Sequence, residues 1–139
     1  MSENSDPDLP IRWLSIGLAS LPLLYMMLWT AMIVGTFSGL WHPHVGGLDV
    51  GTAIRRSAPS EIIGFCAMSL AWLSGMTLVV VQRRLGFYLM IAGSLIHIAV
   101  WLKITDGQYY AGQFGMLVII TEMLAVTLVH FATRGRRLI

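Results

Sequence analysis

Charge is what this sequence has least of. Only 12% of its 139 residues are Asp, Glu, Lys or Arg, against roughly 25% in an ordinary soluble domain. Nine basic and seven acidic side chains cannot cover the surface of a water-soluble globule of this length. A soluble enzyme domain is thereby excluded, and so are a disordered chain and a fibrous repeat. Cysteine is almost absent. The single thiol, Cys66, excludes an intrachain disulfide framework, a C-x-x-C redox pair and a cysteine-based zinc site. It lies in an apolar run, where it reads as a small buried hydrophobe. Also missing are a Walker lysine loop, a G-x-S-x-G elbow, an H-E-x-x-H pair and a C-a-a-X ending. No internal repeat, no low-complexity tract and no span with the paired ionisable residues of an ion pump is found.

What is abundant is apolar side chain: 56% of residues belong to the hydrophobic set, and the mean hydropathy is +0.73. These residues fall into four nearly charge-free runs, at about 13–40, 61–82, 85–102 and 111–133. A spanning helix needs about 20 mainly apolar residues, with roughly 17–25 tolerated. Three runs fit this window. The first is longer, so it must tilt or run on into the headgroups, and Pro22 within it predicts a kink. Its flank carries Glu3, Asp6 and Asp8 against Arg12, and its apolar stretch exceeds the roughly 7–15 residues of a signal-peptide core. It therefore reads as a retained helix, preceded by a short polar tail over residues 1–10. Trp13, Trp41, Tyr88, Trp101, Tyr109 and Tyr110 lie near run ends, as an interfacial aromatic belt requires.

The fold class expected is an all-α integral membrane protein, a single domain over 11–139 with four transmembrane helices in an up-down antiparallel bundle. The net charge of +2 does not point to nucleic acid, because the basic residues sit at the ends of apolar runs and act as topology signals. One side of the bundle holds Arg12, Arg83, Arg84, Arg134, Arg136 and Arg137; the other holds Arg55, Arg56 and Lys103. The positive-inside rule places both termini in the cytoplasm of a cell with an inner membrane. Arg55 and Arg56 are the awkward residues in that assignment. Arg83, Arg84, Arg134, Arg136 and Arg137 also suit anionic lipid heads.

The link at 82–84 is so short that spans two and three form a hairpin, and 105–110 makes spans three and four neighbours. The one substantial loop is 39–60, on the outer side. It ends in a helix start made of Ser57 as cap, Pro59 in the first turn and Glu61 near the positive end of the dipole. Small residues mark expected helix contacts: Gly35 and Gly39 in a GxxxG, Ala71 with Gly75, then Gly86, Gly93 and Gly115.

Glu122 is the sharpest feature, because it stands eleven residues from either end of the fourth run. A charge at the bilayer centre costs roughly 2.5–3.5 kcal/mol on insertion scales, so a partner is required. Counting from the cytoplasmic ends at 1.5 Å per residue, His97 lies roughly 18 Å deep and Glu122 roughly 16–17 Å deep. Adjacent antiparallel helices then bring them together, with Gly93 and Gly115 allowing close approach and Ser94 and Thr121 near enough to take part. The pair is either interhelical polar glue or a proton-relay or ligand-binding site. His97 and His130 differ too much in depth to hold one haem within a subunit, since His130 lies only roughly 4–5 Å in. In the outer loop, His42-Pro43-His44 with Asp49 and Glu61 nearby offers a fragment of a metal site. The nine methionines read as flexible apolar filler, and Trp72 as packing. No cofactor is called for; a metal at His42 and His44, or a haem shared between subunits, stays open. The function expected is that of a non-catalytic accessory or structural subunit, partnered by the bilayer and by another membrane protein or a second copy. The alternative is a small homo-oligomeric transporter or proton-coupled carrier using His97 and Glu122.

Overall fold

A computed structural model describes residues 9–81, 83–105 and 113–134. The order of elements is α1 (Leu9–Ser38), β1 (His44–Val45), β2 (Leu48–Asp49), α2 (Val50–Arg56), α3 (Pro59–Val80), α4 (Arg84–Thr105) and α5 (Gln113–Arg134). Four of these helices, α1, α3, α4 and α5, are long and apolar enough to cross a membrane. Each is apolar on nearly all sides, which is how a helix reads when lipid replaces water on its outer face. Residues such as Trp13, Leu24, Leu70, Leu95 and Phe114 are accordingly exposed.

The helix boundaries have local causes. Leu9 and Pro10, expected in the polar tail, belong to α1, because proline is tolerated in a first turn whose N–H groups have no intrahelical partner. α1 ends at Ser38 rather than at residue 40, because Gly39 adopts φ +73° and closes the helix in the left-handed conformation. Trp41 then folds back, its N–H donating to the Gly35 carbonyl at 3.1 Å. The expected helix–helix role of Gly35 and Gly39 is therefore corrected. A Cβ on Gly35 would meet the Trp41 side chain at 2.9 Å, and one on Gly39 would meet nothing.

The 39–60 loop contains a small folded lobe. Gly46 and Gly47, at φ +57° and +82°, make the two-residue turn of a hairpin in which His44 pairs with Asp49 and Val45 with Leu48. Asp49 caps α2 by accepting the Thr52 N–H at 2.8 Å. The start of α3 differs from expectation. Ser57 belongs to the end of α2, where its hydroxyl donates to the Ala53 carbonyl. Ala58 takes the cap position, and its N–H donates to Glu61 Oε2 at 3.1 Å.

The long helices pack most closely as α3 with α4 and α1 with α5, and the contacts of α4 with α5 and α1 with α3 complete a ring. Glycine sets the α3–α4 spacing. A Cβ on Gly75 would lie 2.9 Å from the Gly86 carbonyl, and one on Gly86 would lie 2.6 Å from the Gly75 carbonyl, so backbone touches backbone. Gly93 also faces α3, against the Met68 carbonyl and the Trp72 nitrogen, and not α5 as the sequence suggested. Gly115 does lie at the α4–α5 contact, beneath the Trp101 indole. The interior is filled by Met26, Met68, Trp72 and Met90, all fully buried.

Candidate functional site

Pro22 removes one N–H from α1, so the Leu18 carbonyl one turn earlier loses its helical donor. In the same turn the Ala19 carbonyl accepts the indole N–H of Trp72 at 3.1 Å, deep in the bundle. The tryptophan on α3 thus places its N–H on the carbonyl next to the one that Pro22 frees. Three residues further along the α1 face from Pro22, Tyr25 stacks against the His97 ring, with centroids 6.3 Å apart and planes 26° apart. Trp29 and Phe65 continue the aromatic layer outward from Tyr25.

Beneath this layer, α4 and α5 supply the two ionisable groups. His97 Nδ1 and Glu122 Oε1 are 2.7 Å apart, and the residues are 4% and 0% exposed. One proton lies between them: either an imidazole N–H donates to a carboxylate, or a carboxylic acid donates to a neutral imidazole. A low-dielectric surround strengthens this bond and penalises loss of either partner. Two further polar atoms belong to the same interior. Glu122 Oε2 and the hydroxyl of Ser94, one turn before His97, are buried without a partner among the described residues. Such atoms are the usual lodging of a bound water or a ligand polar group. Thr121 does not join the pair. Its hydroxyl donates to the Leu117 carbonyl of its own helix at 2.9 Å, the local alternative open to any helical threonine. Tyr25 is the member that sequence reasoning missed. It stands twelve residues into the first run, as His97 stands twelve into the third, so the same depth count would have found it.

A second constellation lies outside the long helices. His42, His44 and Asp49 offer ligand atoms that all lie within 4.8 Å of one another, and all three residues are exposed. His42 Nε2 is 2.9 Å from Asp49 Oδ1. The Thr52 N–H, then the Thr52 hydroxyl and the neighbouring His42, hold the Asp49 carboxyl down at about 2. Glu61 is occupied at the start of α3 and takes no part in this cluster.

The basic residues take distinct places. Arg55 donates to the Thr36 carbonyl in the last turn of α1 at 2.7 Å, where a cation favours the helix dipole. Lys103 near the end of α4 donates to the Ser60 hydroxyl at the start of α3. Arg83 and Arg84 are exposed at the α3–α4 link. The Arg134 side chain, Arg136 and Arg137 lie outside the described residues. His130 packs against Phe87 with ring centroids 5.5 Å apart.

No family model, no curated protein and no solved structure matches this chain.

Proposed function

We propose that the chain is a four-span protein of an inner membrane, an up-down antiparallel bundle with both termini cytoplasmic, acting as a non-catalytic accessory or structural subunit of a membrane complex. The observation that carries this reading is the filled interior. Trp72 and three methionines are fully buried there, and two buried interhelical hydrogen bonds, Trp72 to Ala19 and His97 to Glu122, tie α3 to α1 and α4 to α5. Such bonds are the polar glue of membrane bundles. The antiparallel arrangement is supported by contacts that climb α4 while descending α3: Gly86 meets Gly75, Gly93 meets Trp72 and Val100 meets Gly64. The cytoplasmic placement is supported by the arginine asymmetry, and Arg55 weighs little against it because it serves the end of α1. The outward apolar faces suit lipid, another membrane protein or a second copy of the chain, and nothing favours nucleic acid.

Affinity capture from the native membrane in mild detergent tests the reading, with a partner recovered at fixed stoichiometry as the expected outcome. Recovery of the bare monomer would sink it. One observation favours a second reading, a homo-oligomeric proton-coupled carrier: Glu122 Oε2 and the Ser94 hydroxyl are buried without partners among the described residues. The double substitution His97→Gln, Glu122→Gln separates the two. It keeps hydrogen-bonding groups but cannot pass a proton. An accessory subunit keeps its cellular role in that variant, whereas a carrier folds and loses transport.

A further inference from the structure

The lobe between α1 and α3 is more ordered than its length requires, and its order converges on three side chains. Pro43, fully buried, stiffens the link between His42 and His44. The hairpin register sets His44 directly opposite Asp49. Asp49 is held by two bonds from Thr52, one from the N–H to Oδ1 and one from the hydroxyl to Oδ2, each 2.8 Å. His42 lies against Gly51, where a Cβ would approach its Nδ1 to 2.6 Å. Only glycine admits the ring there, and the packing leaves Nε2 turned toward Asp49. The His44 Nδ1–H donates to the His42 carbonyl at 3.1 Å. That bond fixes the tautomer and leaves Nε2 with its lone pair, as the outer-shell bond of a metal-ligating histidine does. Each of the three donors is thus aimed by a second group: His42 by the space at Gly51, His44 by the His42 main-chain carbonyl and Asp49 by Thr52.

We propose that His42, His44 and Asp49 form a binding site for a divalent first-row transition ion, with Zn²⁺ as the reference case. Two imidazoles and one carboxylate suit zinc, copper and nickel, whereas calcium and magnesium take oxygen ligands. Around a tetrahedral zinc with bonds of about 2.0–2.2 Å, ligand atoms stand roughly 3.3–3.5 Å apart. The three donors, within 4.8 Å of one another, reach that spacing by small side-chain rotations, with the ion replacing the proton between His42 and Asp49. Three protein ligands on an exposed lobe leave a fourth position to water. The ion is therefore exchangeable, and the site suits acquisition or sensing of metal, or docking of a partner that supplies the fourth ligand.

The test uses the full chain in detergent micelles with any polyhistidine tag removed. Zn²⁺ is titrated by calorimetry, and Co²⁺ is added separately for its visible absorption. One Zn²⁺ per chain is expected, together with a rise in the unfolding temperature over that in chelator. His42→Gln with His44→Gln should weaken binding by about tenfold or more, the scale on which even outer-shell changes act, while far-UV circular dichroism stays unchanged. Asp49→Asn provides a variant that still caps α2 but lacks the anionic ligand, and it should weaken binding as well. Absence of Zn²⁺ binding by the natural chain would overturn the site. Undiminished binding in the His42, His44 double variant would do so too, as would displacement of Zn²⁺ by an equal concentration of Ca²⁺.

Discussion

At the scale of single residues, the bond between His97 and Glu122 has an ionisable group at each end. Removing one partner leaves the other buried and uncompensated. In soluble proteins that change costs about 3–5 kcal/mol, and less in a membrane, where the unfolded helices also find partners. His97→Ala and Glu122→Ala should each lower the unfolding temperature in detergent. The double variant should lose less than the two together, with a coupling of about 0.5–1.5 kcal/mol. Strict additivity would show that the groups do not interact in the folded chain. The meeting of these two residues was legible in the sequence because depth in a bilayer is a one-dimensional coordinate, and counting residues from the charged ends supplies it. What a count does not supply is azimuth. Thr121 is adjacent to Glu122 in sequence but about 100° around the helix, and its hydroxyl bonds along its own helix. The bond from Trp72 to the Ala19 carbonyl escaped for a related reason. Pro22 announces a freed carbonyl at Leu18, but nothing in the sequence says that an indole from α3 will meet the neighbouring Ala19 carbonyl.

Among the elements, α3 and α4 owe their closeness to glycine, and that can be separated from the general cost of glycine in a helix. Gly86→Ala places a Cβ 2.6 Å from backbone atoms of α3, so the helices must part, with a loss of about 1–3 kcal/mol. Gly17→Ala has nothing within 4 Å and should be neutral or gain up to about 1 kcal/mol from helix propensity. Thermal unfolding of the two variants side by side checks the contrast. In the lobe, Asp49 is expected to give a pH response. Its folded pKa is depressed to about 2, below the roughly 3.9 of an unstructured aspartate. The stability it confers is therefore fully present above about pH 5 and drains away as pH falls toward 2. The Thr52 amide resonance should report that loss, and in Asp49→Asn the response should vanish. The sequence hid this lobe because its strands are two residues each, too short for alternation to show. Gly46-Gly47 was the available signal, since a Gly-Gly pair is a hairpin turn residue by residue. Gly35 and Gly39 misled in the opposite direction: the spacing that lets helices touch also occurs where one helix stops and the chain turns back.

For the molecule as a whole, the four spans could be read directly, because lipid demands about 20 apolar residues per crossing whatever the sequence does elsewhere. Which helices pack most tightly could not be read. Loop lengths pointed to α3 with α4, but nothing local in the chain announces α1 with α5. Orientation rests on arginine placement and is open to a direct check. A reporter active only outside the cytoplasm should stay silent when fused after residue 139 and become active when inserted at Gly46-Gly47. The reverse pattern would turn the molecule over and move the His42, His44 and Asp49 cluster to the cytoplasmic face.

The pairing of α1 with α5 also sets an order of assembly. Helices enter the bilayer as they are synthesised, and α3 and α4 can close on each other as soon as both are made, glycine against glycine. α1 has by then only its lesser contacts with α2 and α3, and His97 faces a position that α5 has yet to occupy. Glu122 arrives with the last of the four helices and brings with it both the partner for α1 and the counter-group for His97.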